Sequence, residues 1–94
     1  MLKFNKWKVI MNTVFLLIAE FETSQIELSK LCEKYLGMDI RKASTLAANR
    51  KLPVPAYRIG SQRSAWIIHA DDLARLIDSR RENAKKEWQL LRSS

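Results

Sequence analysis

The chain is poor in the residues that punctuate or cross-link a fold. A single cysteine, Cys32, excludes an internal disulfide and fits a reducing compartment. Two glycines and two prolines in 94 residues exclude a collagen-like, linker-rich or low-complexity chain, and there is no internal repeat. The longest apolar run, residues 14–19, falls far short of the roughly 20 residues that a membrane span needs. The basic start and the stretch VIMNTVFLLIA outline a secretory signal. Asn12 and Thr13 interrupt it, no small-x-small cleavage site follows, and Glu20 and Glu22 close it, so no leader is expected. The one histidine, His69, has no cluster of Cys, Asp or Glu at metal-ligand spacing, so a local hydrogen-bonding role is expected of it. Neither a Gly-rich phosphate loop nor a nucleophile elbow occurs. Asp71 and Asp72 are explained by the first turn of a helix, where the dipole favours carboxylates. No catalytic residue, metal or cofactor is implied, and an enzyme is not expected.

The most informative absence is of acid. From residue 40 to residue 70 there is no Asp or Glu, whereas Arg41, Lys42, Arg50, Lys51, Arg58 and Arg63 all fall there. Residues 11–39 hold five acids against Lys30 and Lys34, and residues 71–94 hold six basic and five acidic side chains. The formal net charge of +7 is therefore concentrated in the middle of the chain and near its start, at Lys3, Lys6 and Lys8. Such a balance favours an anionic partner, nucleic acid or a membrane surface, without choosing between them.

Ninety-four residues, 47% of them hydrophobic, form one small domain with a modest core. Residues 13–21 read as two or three apolar helical turns capped by Asn12 or Thr13, although β-branched content leaves a strand open. Leu28, Leu31, Cys32, Tyr35 and Leu36 form one apolar stripe, and a helix is predicted over residues 28–36. Cys32 on that stripe is expected to be a buried small hydrophobe. Gly37 suits a left-handed C-terminal turn, and Asp39 is the expected cap of a second helix over residues 40–50. There Ile40, Ala43, Leu46 and Ala47 face inward and Arg41, Lys42, Ser44, Thr45, Ala48 and Asn49 outward. Pro53 and Pro55 hold the chain extended after it. Residues 57–59 and 66–69 have strand composition and predict a hairpin with its tip at residues 60–64. Alternation puts Trp66 and Ile68 on one face, with Trp66 expected in the core. A last helix over residues 71–92 is anchored by Leu73, Leu76 and Ile77. At about 33 Å it is longer than so small a core can cover.

Helix, tight turn, helix, hairpin, helix is the order of a winged helix. The chain carries Leu36-Gly37, Leu52-Pro53, Arg58-Ile59-Gly60 and Asp72-Leu73 in that order. In these it resembles the short winged helices of phage excisionases and the DNA-binding domain of MerR-type regulators. MNTVFLLIAEF and LPVPAYRIGSQRSAWIIHADDLARLIDSRR look more closely like the opening, wing and last helix of the pyocin activator protein (PrtN-like) family. The likeness spans Met11 to about Lys86. The chain departs from that family at Arg50, where a glycine is common, and at Thr45, where an arginine is frequent. Its wing is one residue shorter. These departures fall on the expected DNA face, so a target sequence does not carry over.

The resulting expectation is a mostly α fold with a small β-hairpin, a winged helix-turn-helix of the excisionase/MerR-like kind with a long C-terminal helix. Residues 1–10 form a basic extension, 11–79 the DNA-binding domain and 80–94 a helical extension for dimerisation or a tail. Arg41, Lys42, Ser44, Thr45, Asn49, Arg50 and Lys51 are the expected recognition-helix residues, and Arg58, Ser61, Gln62, Arg63 and Ser64 those of the wing. Phe15, Ile18, Ala84, Trp88 and Leu91 are the candidate oligomer interface. The bland alternative is an ordinary solvated helix face and hairpin. The resemblance implies a cytoplasmic, nucleoid-associated transcriptional activator of prophage or bacteriocin-type genes. Its partners would be double-stranded DNA, a second copy of the chain and RNA polymerase, with no membrane. Two other functions stay open: an excisionase-like architectural factor, and a protein-interaction module or inhibitor.

Overall fold

The computed structural model describes residues 6–93, with side chains described from Asn12 to Arg92. Four helices and a two-stranded antiparallel sheet follow one another: α1 (Lys6–Phe21), β1 (Gln25–Glu27), α2 (Leu28–Leu36), α3 (Ile40–Ala48), β2 (Ile67–His69) and α4 (Ala70–Ser93). The fold is thus mostly α with a small β component.

The α2–α3 pair forms where the sequence predicts it. Leu28, Leu31, Cys32 and Leu36 of α2 are buried, as their spacing requires. Gly37 stops the helix at φ 66°, its N–H donating to the Cys32 carbonyl. Asp39 then starts α3, accepting from the Lys42 backbone N–H at 2.8 Å. Ala43 and Ala47 are buried, and their small side chains let α3 lie close to the core. Two details differ from expectation. Ile40, expected to face inward, is 40% exposed and lies outside the core cluster. The helix also ends at Ala48 rather than Arg50, because residues 49–51 are used to close it.

The first helix is longer than predicted. It begins at Lys6, so neither Asn12 nor Thr13 is its cap, and the boundary expected after residue 10 falls inside a helix. The part of the expected extension before Lys6 lies outside the described residues. Thr13 instead donates its hydroxyl to Asp78 Oδ1 at 2.8 Å, tying α1 to α4. The strand alternative for residues 13–21 is excluded.

The sheet also differs. Strand β1 is not predicted by the sequence pattern, and it pairs with β2 in the register Gln25–His69, Ile26–Ile68, Glu27–Ile67. The ladder continues at both ends, Leu28 N–H to Trp66 O at 2.9 Å and Ala70 N–H to Ser24 O at 2.8 Å. On its other edge β2 meets the expected hairpin partner in a single bridge, with Tyr57 and Ile67 exchanging bonds of 2.9 and 2.7 Å. The 57–59 strand is therefore reduced to one paired residue.

Ile26, Leu28, Leu31, Ile68 and Leu73 are almost completely buried and form the centre of the core with Cys32 and Ala74. Leu17 of α1 and Val54 of the connector close it. No charged or polar residue is buried among the described residues. Burial of the larger side chains is worth about 1.5–3 kcal/mol each. The second half of α4 takes no part in this: residues 79–92 are all exposed.

Candidate nucleic-acid interface

Arg41, Lys42, Thr45, Ala48 and Asn49 are exposed, and their spacing along α3 puts them on one side of the helix, opposite Ala43 and Ala47. Ser44 is half-buried at the border of that face. Thr45 spends its hydroxyl proton on the Arg41 carbonyl, at 3.0 Å, leaving its methyl group and lone pairs outward. The α3 dipole is already served at its start by Asp39, the carboxylate nearest this face in sequence.

The end of α3 is a Schellman turn. Arg50 N–H donates to Ala47 O at 3.1 Å, and Lys51 N–H to Leu46 O at 2.8 Å. This turn gathers Asn49, Arg50 and Lys51, all exposed, at one end of the helix. The departure from the resembled family at Arg50 thus coincides with a left-handed residue, φ 57°.

The loop 60–64 is a compact turn. Ser64 N–H donates to Ser61 O at 2.9 Å and Arg63 N–H to Ser61 Oγ at 3.3 Å. A Cβ at Gly60 would meet Ser64 Oγ at 2.6 Å, a contact that rotation of the serine side chain relieves. Ser61, Gln62 and Arg63 are exposed at the tip and Ser64 is half-buried. Arg58 is not at the tip. Its guanidinium carbon lies 4.1 Å from the centre of the half-buried Trp66 ring. Its Nε is buried with no hydrogen-bond partner among the described residues. Trp66, which packs against the core as expected, is therefore also the seat of Arg58.

Among the described residues the carboxylates in ion-pair contacts are Glu20 and Asp71, neither of them on α3. Glu20 on α1 accepts from Tyr35 Oη at 2.6 Å and from Lys34 Nζ at 2.9 Å, which fastens α1 to α2. The Tyr35 hydroxyl, then the Lys34 ammonium, hold the Glu20 carboxyl below its ordinary value. Spacing along the chain carries no hint of this cluster, because its members come from different helices. His69 Nδ1 accepts the Asp71 backbone N–H at 3.1 Å, the local role expected of it at the start of α4. Among the described residues none of Arg41, Lys42, Arg50, Lys51 or Arg63 forms an ion pair. The exposed cations of residues 40–70 thus carry uncompensated charge.

The candidate oligomer residues are dispersed. Phe15 is 62% and Trp88 56% exposed, Ala84 and Leu91 are exposed on distal α4, and Ile18 packs against the core. Arg92 lies over the Trp88 ring at 4.6 Å. No helix among the described residues is long and apolar enough to cross a membrane.

The outer face of α3 is thus cationic and without ion pairs among the described residues. The family profile of pyocin activator protein PrtN matches residues 13–84. The chain belongs to that family, which is one of regulators of pyocin genes and not a class of enzymes. No curated protein and no solved structure matches the chain.

Proposed function

We propose that the protein is a winged-helix, sequence-specific DNA-binding transcriptional regulator that activates prophage or bacteriocin-type genes. Helix α3 enters the major groove, which is about 12 Å wide and admits one helix. Arg41, Lys42, Ser44 and Thr45 face the base edges, and Asn49, Arg50 and Lys51 meet phosphate. Ser61, Gln62, Arg63 and Ser64 track the neighbouring groove or backbone. Arg58, seated on Trp66, supports that loop from beneath. The observation that carries this reading is the outward, acid-free and unpaired cationic face of α3 in a chain of the pyocin activator family. A second copy docked through distal α4 at Ala84, Trp88 and Leu91, and against Phe15 of α1, would place two α3 helices on repeated half-sites. As an activator the dimer would also touch RNA polymerase.

The test is a genome-wide binding map followed by salt-dependent affinity on the strongest site, with sedimentation of the free protein for its oligomeric state. Wild type should bind at a pyocin-type promoter with a steep salt dependence. Reversing Arg41, Lys42 and Arg63 to Glu should remove binding while the circular dichroism spectrum is unchanged. Retained binding by the triple variant would refute the assignment, and occupancy confined to an attachment site would favour the architectural factor.

A further inference from the structure

The two helices of the α2–α3 pair end in the same backbone conformation but with different residues. Gly37 closes α2 at φ 66°, and Arg50 closes α3 at φ 57°. In the left-handed region a Cβ crowds the following carbonyl oxygen, so glycine holds this geometry at the least cost and arginine does not. The turn itself does not call for an arginine. Its two closing bonds, Arg50 N–H to Ala47 O and Lys51 N–H to Leu46 O, are made by backbone atoms that any residue but proline supplies.

Nor is the Arg50 side chain used by the fold. It is exposed, and among the described residues it has no ion pair, hydrogen bond or ring contact. A left-handed residue also follows α1, Glu22 at φ 59°, so it is the setting of Arg50 rather than its backbone alone that points to a site. Arg50 stands between exposed Asn49 and Lys51, at the end of the helix that carries the cationic face, inside the acid-free stretch.

We propose that Arg50 is a phosphate-contacting residue kept in a left-handed turn at the expense of stability, so that the same position trades folding against DNA affinity. This rests on the DNA-binding reading above and adds to it an opposition between two measurable quantities. A residue that merely ended the helix would show none.

The experiment compares wild type, Arg50→Gly and Arg50→Lys. Thermal unfolding is read alongside anisotropy titrations on a labelled mixed-sequence duplex between about 50 and 200 mM salt. Arg50→Gly should melt roughly 4–8 °C higher, the shift that relief of a left-handed side chain gives in a domain of this size. It should bind roughly eightfold more weakly at about 0.1 M salt, with the slope of log affinity against log salt smaller by about one, the signature of one lost phosphate contact. Arg50→Lys should keep both the wild-type melting temperature and the wild-type slope. If wild type binds the duplex and Arg50→Gly binds it with equal affinity and slope, the inference fails and the wider reading stands. It fails equally if Arg50→Gly melts lower, since the side chain would then support the fold. A wild type with no duplex affinity at the lowest salt overturns both.

Discussion

Replacement of Gly37 by alanine isolates a single physical effect. The residue sits at φ 66°, ψ 30°, and a Cβ built on it would meet nothing within 4 Å. No clash, lost contact or buried polar group accompanies the added methyl. The cost is therefore that of holding an L-residue in the left-handed region, about 1 kcal/mol. Alanine also narrows the unfolded ensemble, a gain that does not outweigh native strain where φ is positive. Against a total stability of about 5–15 kcal/mol this is a measurable fraction. In a domain of this length about 1 kcal/mol lowers the melting temperature by roughly 4–8 °C. The urea midpoint should fall with the slope m unchanged, because the surface exposed on unfolding is the same. Gly37→Asn should lose less, since asparagine visits this region more readily. An unaltered midpoint in Gly37→Ala would mean that the α2–α3 turn is not held left-handed in solution, and the geometry on which the α3 face depends would be lost with it.

Two further outcomes follow from local contacts. Asp39→Ala removes the acceptor for the Lys42 N–H and should cost about 1 kcal/mol, whereas Asp39→Ser should restore most of it, as read by urea melts. The Glu20 carboxyl is depressed, so its contribution is complete above the ordinary carboxyl range near 4.5 and is lost as the pH falls through the lower folded value. Because the group is exposed the effect should stay below about 1 kcal/mol. Glu20→Gln should flatten the acid limb of a stability-against-pH curve, and an identical limb in wild type and variant would refute the linkage.

The candidate site is largely legible in the order of residues along the chain. Its signals are local: an apolar stripe at helical spacing, a glycine at the stop, an Asp at the restart, and a run of cations without acids. Each acts over one or two turns, so α2, the Gly37 turn, the Asp39 cap and the outward face of α3 lie where the residues imply. Arg50 also stands out in the sequence as a departure from the resembled family, but the backbone strain that attends it does not. That strain appears only when the Schellman turn closes.

What the sequence by itself determined is this helix pair, the concentration of charge upon it and the membership of its family. Tertiary structure decided the rest, because the groups involved are stabilised by partners far along the chain. β1 is three residues long and exists as a strand through its pairing with β2. Thr13 turns its hydroxyl to Asp78, 65 positions away, rather than capping a helix. Glu20 finds Tyr35 and Lys34 on another helix, and Arg58 lies on Trp66. Spacing cannot announce such contacts, since neither partner has a reason to meet the other until the core has brought their backbones together.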